Sequence, residues 1–280
     1  FIILHNFRQE NAPSSFHFNC RKSLRSRRAK TLHGDKLSFM IQKKTYYKNP
    51  IPHIEFPKGR VSCTPSSESL ITLEQIAPHA KGRIIYEPVY FKLGLAGSVS
   101  QCRLREGAAA RLLKALDMLP SEYGFKIFDA WRTFELQTTL YNKYKDMIIK
   151  NCADCTDAES DIIANQYVSV PANDPENPPV HTTGGSVDLT IIRINDNQEL
   201  NMGTVFDFFG ERASSDYFEL QSRCLSLLDE EIRKNRRMLY NIMICAGFSN
   251  LPSEWWHYDY GNAYWAFSTG CNAIYKGIFK

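Results

Sequence analysis

Apolar residues in this chain fall either into long stretches of helical period or into short runs of strand composition. Residues 104–119 set Leu104, Ala108, Leu112, Leu116 and Leu119 on one helical face, closed by Pro120. A second helix is expected from about Phe134 to Ile149. A third is expected over 217–246, with Phe218, Leu225, Leu228, Ile232, Leu239 and Ile242 buried and Gly247 as its stop. The strand-like runs are shorter. They are Ile84–Tyr86 and Val89–Phe91 on either side of Pro88, Phe125–Trp131, the β-branched Val187–Ile194, and Trp255–Phe267 with a hairpin turn at Gly261-Asn262. Asn, Asp and Pro crowd residues 150–180, which predicts a long loop or lid. Segregated helices and short strands predict an α+β fold rather than a doubly wound one.

Charge divides the chain. Residues 1–50 carry eleven Lys/Arg against two Asp/Glu, a balance of +9, whereas the remaining 230 residues stand at −5. The expected division is a basic, flexible extension over 1–53 and a catalytic domain over 54–280, with the body running from near Ile54 to about Phe267. A basic tail can bind nucleic acid or an anionic membrane, but a solvated extension is the simpler expectation. No apolar run reaches the roughly 20 residues of a membrane span. The eight cysteines show no disulfide spacing, and Cys152-Ala-Asp-Cys155 is a lone C-x-x-C. Reduced thiols and a cytoplasmic setting are the expectation, with a periplasmic one left open.

Three clusters carry chemistry: His181-Thr-Thr-Gly-Gly-Ser-Val-Asp188, Glu254-Trp-Trp-His257 and Asp129-Ala-Trp-Arg132. Two histidines and a carboxylate are a common ligand set for catalytic zinc, with a fourth position left for water. Gly184 and Gly185 would let the chain fold back so that His181 and Asp188 converge. Glu254, three residues before His257, would stand beside the metal as a general base. Arg132 would face the oxyanion of a tetrahedral intermediate. Each residue alone has a plainer reading: a surface histidine, a turn aspartate, a salt-bridged arginine, core tryptophans. Their joint occurrence carries the functional one.

The sequence H-T-T-G-G-S-V-D-L-T, the downstream E-W-W-H-Y and the upstream D-A-W-R together resemble the D-Ala-D-Ala dipeptidases of the vancomycin-resistance type. The resemblance covers roughly residues 70–265. It implies a single α+β domain with a central, mainly antiparallel sheet flanked by helices, as in zinc D-Ala-D-Ala carboxypeptidases and the Hedgehog domain. Position by position it implies one zinc per chain on His181, Asp188 and His257, Glu254 as the base and Arg132 as the transition-state arginine. Met202-Gly-Thr-Val-Phe-Asp207 matches a further stretch and implies that Asp207 holds the substrate's ammonium. Tyr86 lies in a segment that loosely resembles the family's N-terminal strand and is not assigned to the site, although that likeness would point it toward the same pocket. Two departures bear on substrate preference: Pro179 stands where the family has a serine, and Thr133 where it often has proline. The partner implied is a small dipeptide, with no nucleic acid for the catalytic domain, no membrane span and homo-oligomerisation left open. The alternatives are a D,D-carboxypeptidase on longer wall peptides, a non-catalytic Hedgehog-like zinc module and, less well matched in ligand spacing, a non-haem iron oxygenase.

Overall fold

A computed structural model describes residues 46–55, 61–80, 82–152, 156–165, 168–174, 178–220 and 225–279. In chain order the elements are β1 (Leu70–Thr72), α1 (Leu73–Ala80), β2 (Ile84–Tyr86), α2 (Val89–Lys92), β3 (Arg103–Arg105), α3 (Glu106–Met118), β4 (Tyr123–Asp129), α4 (Phe134–Asn151), α5 (Asp157–Ala164), β5 (Ser186–Arg193), α6 (Leu227–Ala246), β6 (Ser249–Asn250), β7 (His257–Asp259) and α7 (Ala263–Thr269). Five strands form the main sheet in the order β2-β4-β5-β7-β6, and β1 pairs with β3 in a small second sheet. Only β2 runs parallel to its neighbour, so the main sheet is mainly antiparallel, as expected.

The central strand β5 is buried at every residue but its last, as a strand in mid-sheet with covered faces must be. Leu112 and Leu116 of α3 and Leu239 and Ile242 of α6 join Phe125, Ile127, Leu189 and Ile191 in one apolar core. Caps fix where the helices begin. Thr133 Oγ1 accepts from the Leu136 N–H at 3.0 Å at the start of α4, and Ser226 and Asp229 form a reciprocal capping box on α6. Gly247, at φ 109°, ends α6 where the sequence places its stop.

Several expectations change. Val89–Lys92 is a helical turn rather than a strand, since Pro88 can start a helix without needing an N–H partner. The segment 150–180 is not all loop. Thr156 and Glu159 form a capping box that starts α5, which packs back on α4 through Tyr141, Tyr144, Ile148 and Ala164. The third helix begins only at Leu227, so Phe218 is buried from a loop, while Leu228 is exposed. No hairpin forms at Gly261-Asn262: the Asn262 side chain accepts from the Trp265 N–H and caps α7. Cys152, expected reduced, is disulfide-bonded, whereas Cys63, Cys102, Cys245 and Cys271 are free thiols.

Ordered chain extends beyond both limits expected for the body. Tyr46 and Ile51 are buried, and Asn241 of α6 donates to the carbonyls of Tyr46 and Asn49. The basic run Arg21–Lys30 lies outside the described residues. Past α7, Thr64 N–H donates to Ala273 O at 2.8 Å, Tyr275 N–H to Gly261 O at 2.9 Å and Ile278 N–H to Thr182 O at 2.9 Å. Among the described residues no helix is long and apolar enough to cross a membrane.

Leu112 has no exposed surface and sits mid-helix against the sheet. Leu112→Ala should therefore cost about 2–5 kcal/mol through lost burial and a residual cavity. Urea unfolding would show this as a lower midpoint at unchanged slope.

Candidate metal and active site

Sheet register brings the first two candidate ligands together. Asp188 on β5 lies opposite His257 on β7, and on its other side it lies opposite Asp129 at the end of β4. His181 comes from the helical turn Val180–Thr183 just before β5. The return depends on two glycines. Gly184 has φ 76°, and a Cβ on Gly185 would sit 2.1 Å from the Tyr260 carbonyl oxygen. All three side chains are buried.

Their atoms converge. His181 Nε2 is 3.1 Å from His257 Nδ1 and 3.4 Å from Asp188 Oδ2, and His257 Nδ1 is 2.9 Å from Asp188 Oδ1. Ligand atoms around a tetrahedral ion with bonds of about 2.0–2.1 Å stand about 3.3 Å apart, close to these spacings. The far side of each imidazole decides the tautomer. His181 Nδ1 lies 2.7 Å from the Ala130 carbonyl oxygen, so that nitrogen carries the proton and donates. His257 Nε2 lies 3.0 Å from Asp259 Oδ2 and donates to it. Each inward nitrogen then presents a lone pair. Two nitrogen lone pairs and a carboxylate facing one another repel, and a cation at their centre removes the conflict. The donor set fits one metal ion held by His181, Asp188 and His257.

Glu254 stands outside this set, with Oε2 4.0 Å from His257 Nδ1. Its turn is closed by Glu254 N–H donating to Leu251 O and by Leu251 N–H donating to His257 O. Burial pushes the Glu254 carboxyl up to about 8. Arg132 is buried, paired through Nε with Asp129, with Nη2 at 3.5 Å from Asp188 Oδ2 and Nη1 donating to Gln137 Oε1 at 3.3 Å. Asp207 lines the same cavity, and burial raises its carboxyl to about 6 against the hydrogen bond from Tyr90, whose hydroxyl donates at 2.7 Å. A cavity of about 410 Å³ takes in Tyr90, Arg132, His181, Asp207, Glu254 and His257 and continues along α4.

All six candidate site residues therefore meet at one place. Tyr86 does not. It ends β2 and packs against the core, and Tyr90, four residues further on in α2, takes the position beside Asp207. Trp255 and Trp256 are core residues, as in their plainer reading. Two further carboxylates belong to the site. Asp129 orients Arg132, and Asp259 backs His257 while accepting from Ser186 Oγ and Asn262 Nδ2, both at 2.6 Å. The sequence carried a signal for Asp259: two residues past His257 in a strand, it must share that histidine's face.

A family described as D-ala-D-ala dipeptidase, Peptidase_M15, matches residues 92–273. A D-alanyl-D-alanine dipeptidase of a Synechocystis species is 29% identical over 177 residues, covering 58% of this chain and 71% of that protein. The Enterococcus faecium enzyme of the same name is 26% identical over 168 residues, covering 57% and 76%. The Escherichia coli one is 26% identical over 161 residues, covering 57% and 67%.

Asp259→Ala would leave the outward N–H of His257 without its acceptor. Metal affinity should fall about 10–100-fold, read by competition with a chromophoric chelator while far-UV circular dichroism stays unchanged.

Proposed function

The chain belongs to the D-Ala-D-Ala dipeptidase family, and from that membership we propose that it hydrolyses free dipeptides of the D-Ala-D-Ala type with one zinc ion on His181, Asp188 and His257. One observation carries the reading. Three inward lone pairs share a cavity with a free carboxylate, a buried guanidinium and a second carboxylate suited to an ammonium. Zinc bound there would lower the pKa of a water towards neutrality and polarise the scissile carbonyl.

The chain's own residues supply the rest. Asp207 receives the substrate's ammonium, which orients the dipeptide and disfavours peptides blocked at that end. Glu254, its proton affinity raised by burial, takes a proton from the attacking water and returns it to the departing amine. Arg132, held by Asp129 and Gln137, stabilises the charge that builds on the carbonyl oxygen. Neither Glu254 nor Arg132 serves a module that merely binds zinc, and this favours the enzyme over a Hedgehog-like binding role.

Glu254→Gln should keep one zinc per chain and lose about 10²–10⁴-fold in kcat. Turnover of D-Ala-D-Ala with metal content measured in parallel checks this, and a near-native kcat would remove Glu254 as the base. N-acetylation of the dipeptide should lower kcat/KM by more than tenfold, whereas a D,D-carboxypeptidase would prefer the acylated form.

A further inference from the structure

One buried charge takes no part in the chemistry above. Arg236, on the inner face of α6, is 2% exposed, and among the described residues no carboxylate stands within ion-pair distance of it. Its guanidinium spends its donors on three backbone carbonyls instead. Nε donates to Met202 O at 2.7 Å, Nη1 to Ser214 O at 2.6 Å and Nη2 to Arg212 O at 2.7 Å. Phe218 covers it, with the guanidinium carbon 4.8 Å from the ring centroid. Burial, and after it the neighbouring Arg212 charge, pulls the arginine down to about 9, with Tyr258, Asp216 and Tyr217 opposing.

The three carbonyls are not scattered. Met202 lies at the start of the loop that carries Asp207, and Arg212 and Ser214 lie at its end. One planar group thus pins both ends of the loop at a fixed separation, which the rigid fork of guanidinium donors suits and a lysine ammonium does not. The loop needs such a restraint. Asp207 sits at φ 57°, a left-handed backbone conformation that aspartate tolerates better than most residues, so the loop between its two anchored ends must be held by contacts such as these rather than by a strand or α-helix. The same loop is stitched to the turn bearing Glu254. Trp255 N–H donates to Ala213 O at 3.0 Å, Trp255 Nε1 to Thr204 Oγ1 at 2.7 Å and Ser215 Oγ to Glu254 O at 3.3 Å.

We propose that Arg236 is a positioning residue for recognition of the substrate's amino end: by clasping both ends of the 202–214 loop it sets the Asp207 carboxylate at its working distance from the metal site. The inference rests on the reading of Asp207 as the ammonium site. It predicts a selective defect. A loosened clasp should weaken binding of ligands that carry the ammonium and spare those that lack it, with the metal ligands undisturbed.

The test uses the zinc-loaded full chain and two phosphinate dipeptide analogues, one with a free amino group and one with hydrogen in its place. The inhibition constants of both are measured on the wild type, Arg236→Lys and Arg236→Gln. Expected are a tenfold or greater loss of affinity for the amino form in both variants, less than a threefold change for the des-amino form, and zinc still at one per chain. With D-Ala-D-Ala the same variants should raise KM far more than they lower kcat. Equal losses for the two analogues, no loss for either, or failure of both variants to fold and hold zinc would overturn the proposal, the last by making Arg236 a residue of the fold at large. A wild type that hydrolyses D-Ala-D-Ala yet binds the two analogues equally would overturn the Asp207 reading and this inference with it. Absence of any dipeptide hydrolysis would instead sink the catalytic reading, while the analogue pair would still report on the clasp.

Discussion

Mutual repulsion among His181, Asp188 and His257 is the force that the rest of the molecule is arranged to resist. Without a cation, inward-facing lone pairs at about 3 Å would turn their side chains apart. They stay because each is fixed from behind. Strand pairing sets Asp188 opposite His257, a carbonyl holds the outer nitrogen of His181, and Asp259 holds that of His257. Asp259 is held in turn by Ser186 and Asn262, the residue that caps α7. A helix start, a strand register and a glycine turn thus converge on the orientation of two imidazole rings.

The charges around this centre balance locally. Asp129 and Asp188 face Arg132, and Asp259 accepts from the outer N–H of His257. Asp188 has the Arg132 guanidinium at 3.5 Å and faces the centre where a metal cation would sit. Glu254 and Asp207 lack partners of that strength, and both are raised instead. Carboxylates lining one site thereby differ in proton affinity according to their partners.

Most of the site was legible in the sequence because its residues recur as dense local motifs whose chemistry needs those side chains together. The partners that reach the site through space were harder to read. Asp259 could have been found from strand alternation, and α5 from the Thr156 and Glu159 capping pair, yet each was hidden by a neighbouring feature, a supposed hairpin in one case and a proline-rich stretch in the other. Tyr90 gave no usable signal. Val89–Phe91 has strand composition, and only packing of the turn against β4 and the Asp207 loop places that hydroxyl. Arg236 reads as one basic residue among several on an amphipathic helix. Its burial depends on a loop whose path no local pattern encodes.

The segment after α7 has a practical consequence. Through Ile278 it hydrogen-bonds the backbone of Thr182, the residue next to His181, and through Tyr275 it packs against the Gly185 and Gly261 turns. A protease nick or a premature stop just beyond Thr269 would leave His181, Asp188, Glu254 and His257 in the polypeptide and yet strip the scaffolding from the His181 turn. Because Ala273 and Tyr275 of this edge are buried with the core, such damage would disturb the local packing and the His181 turn together.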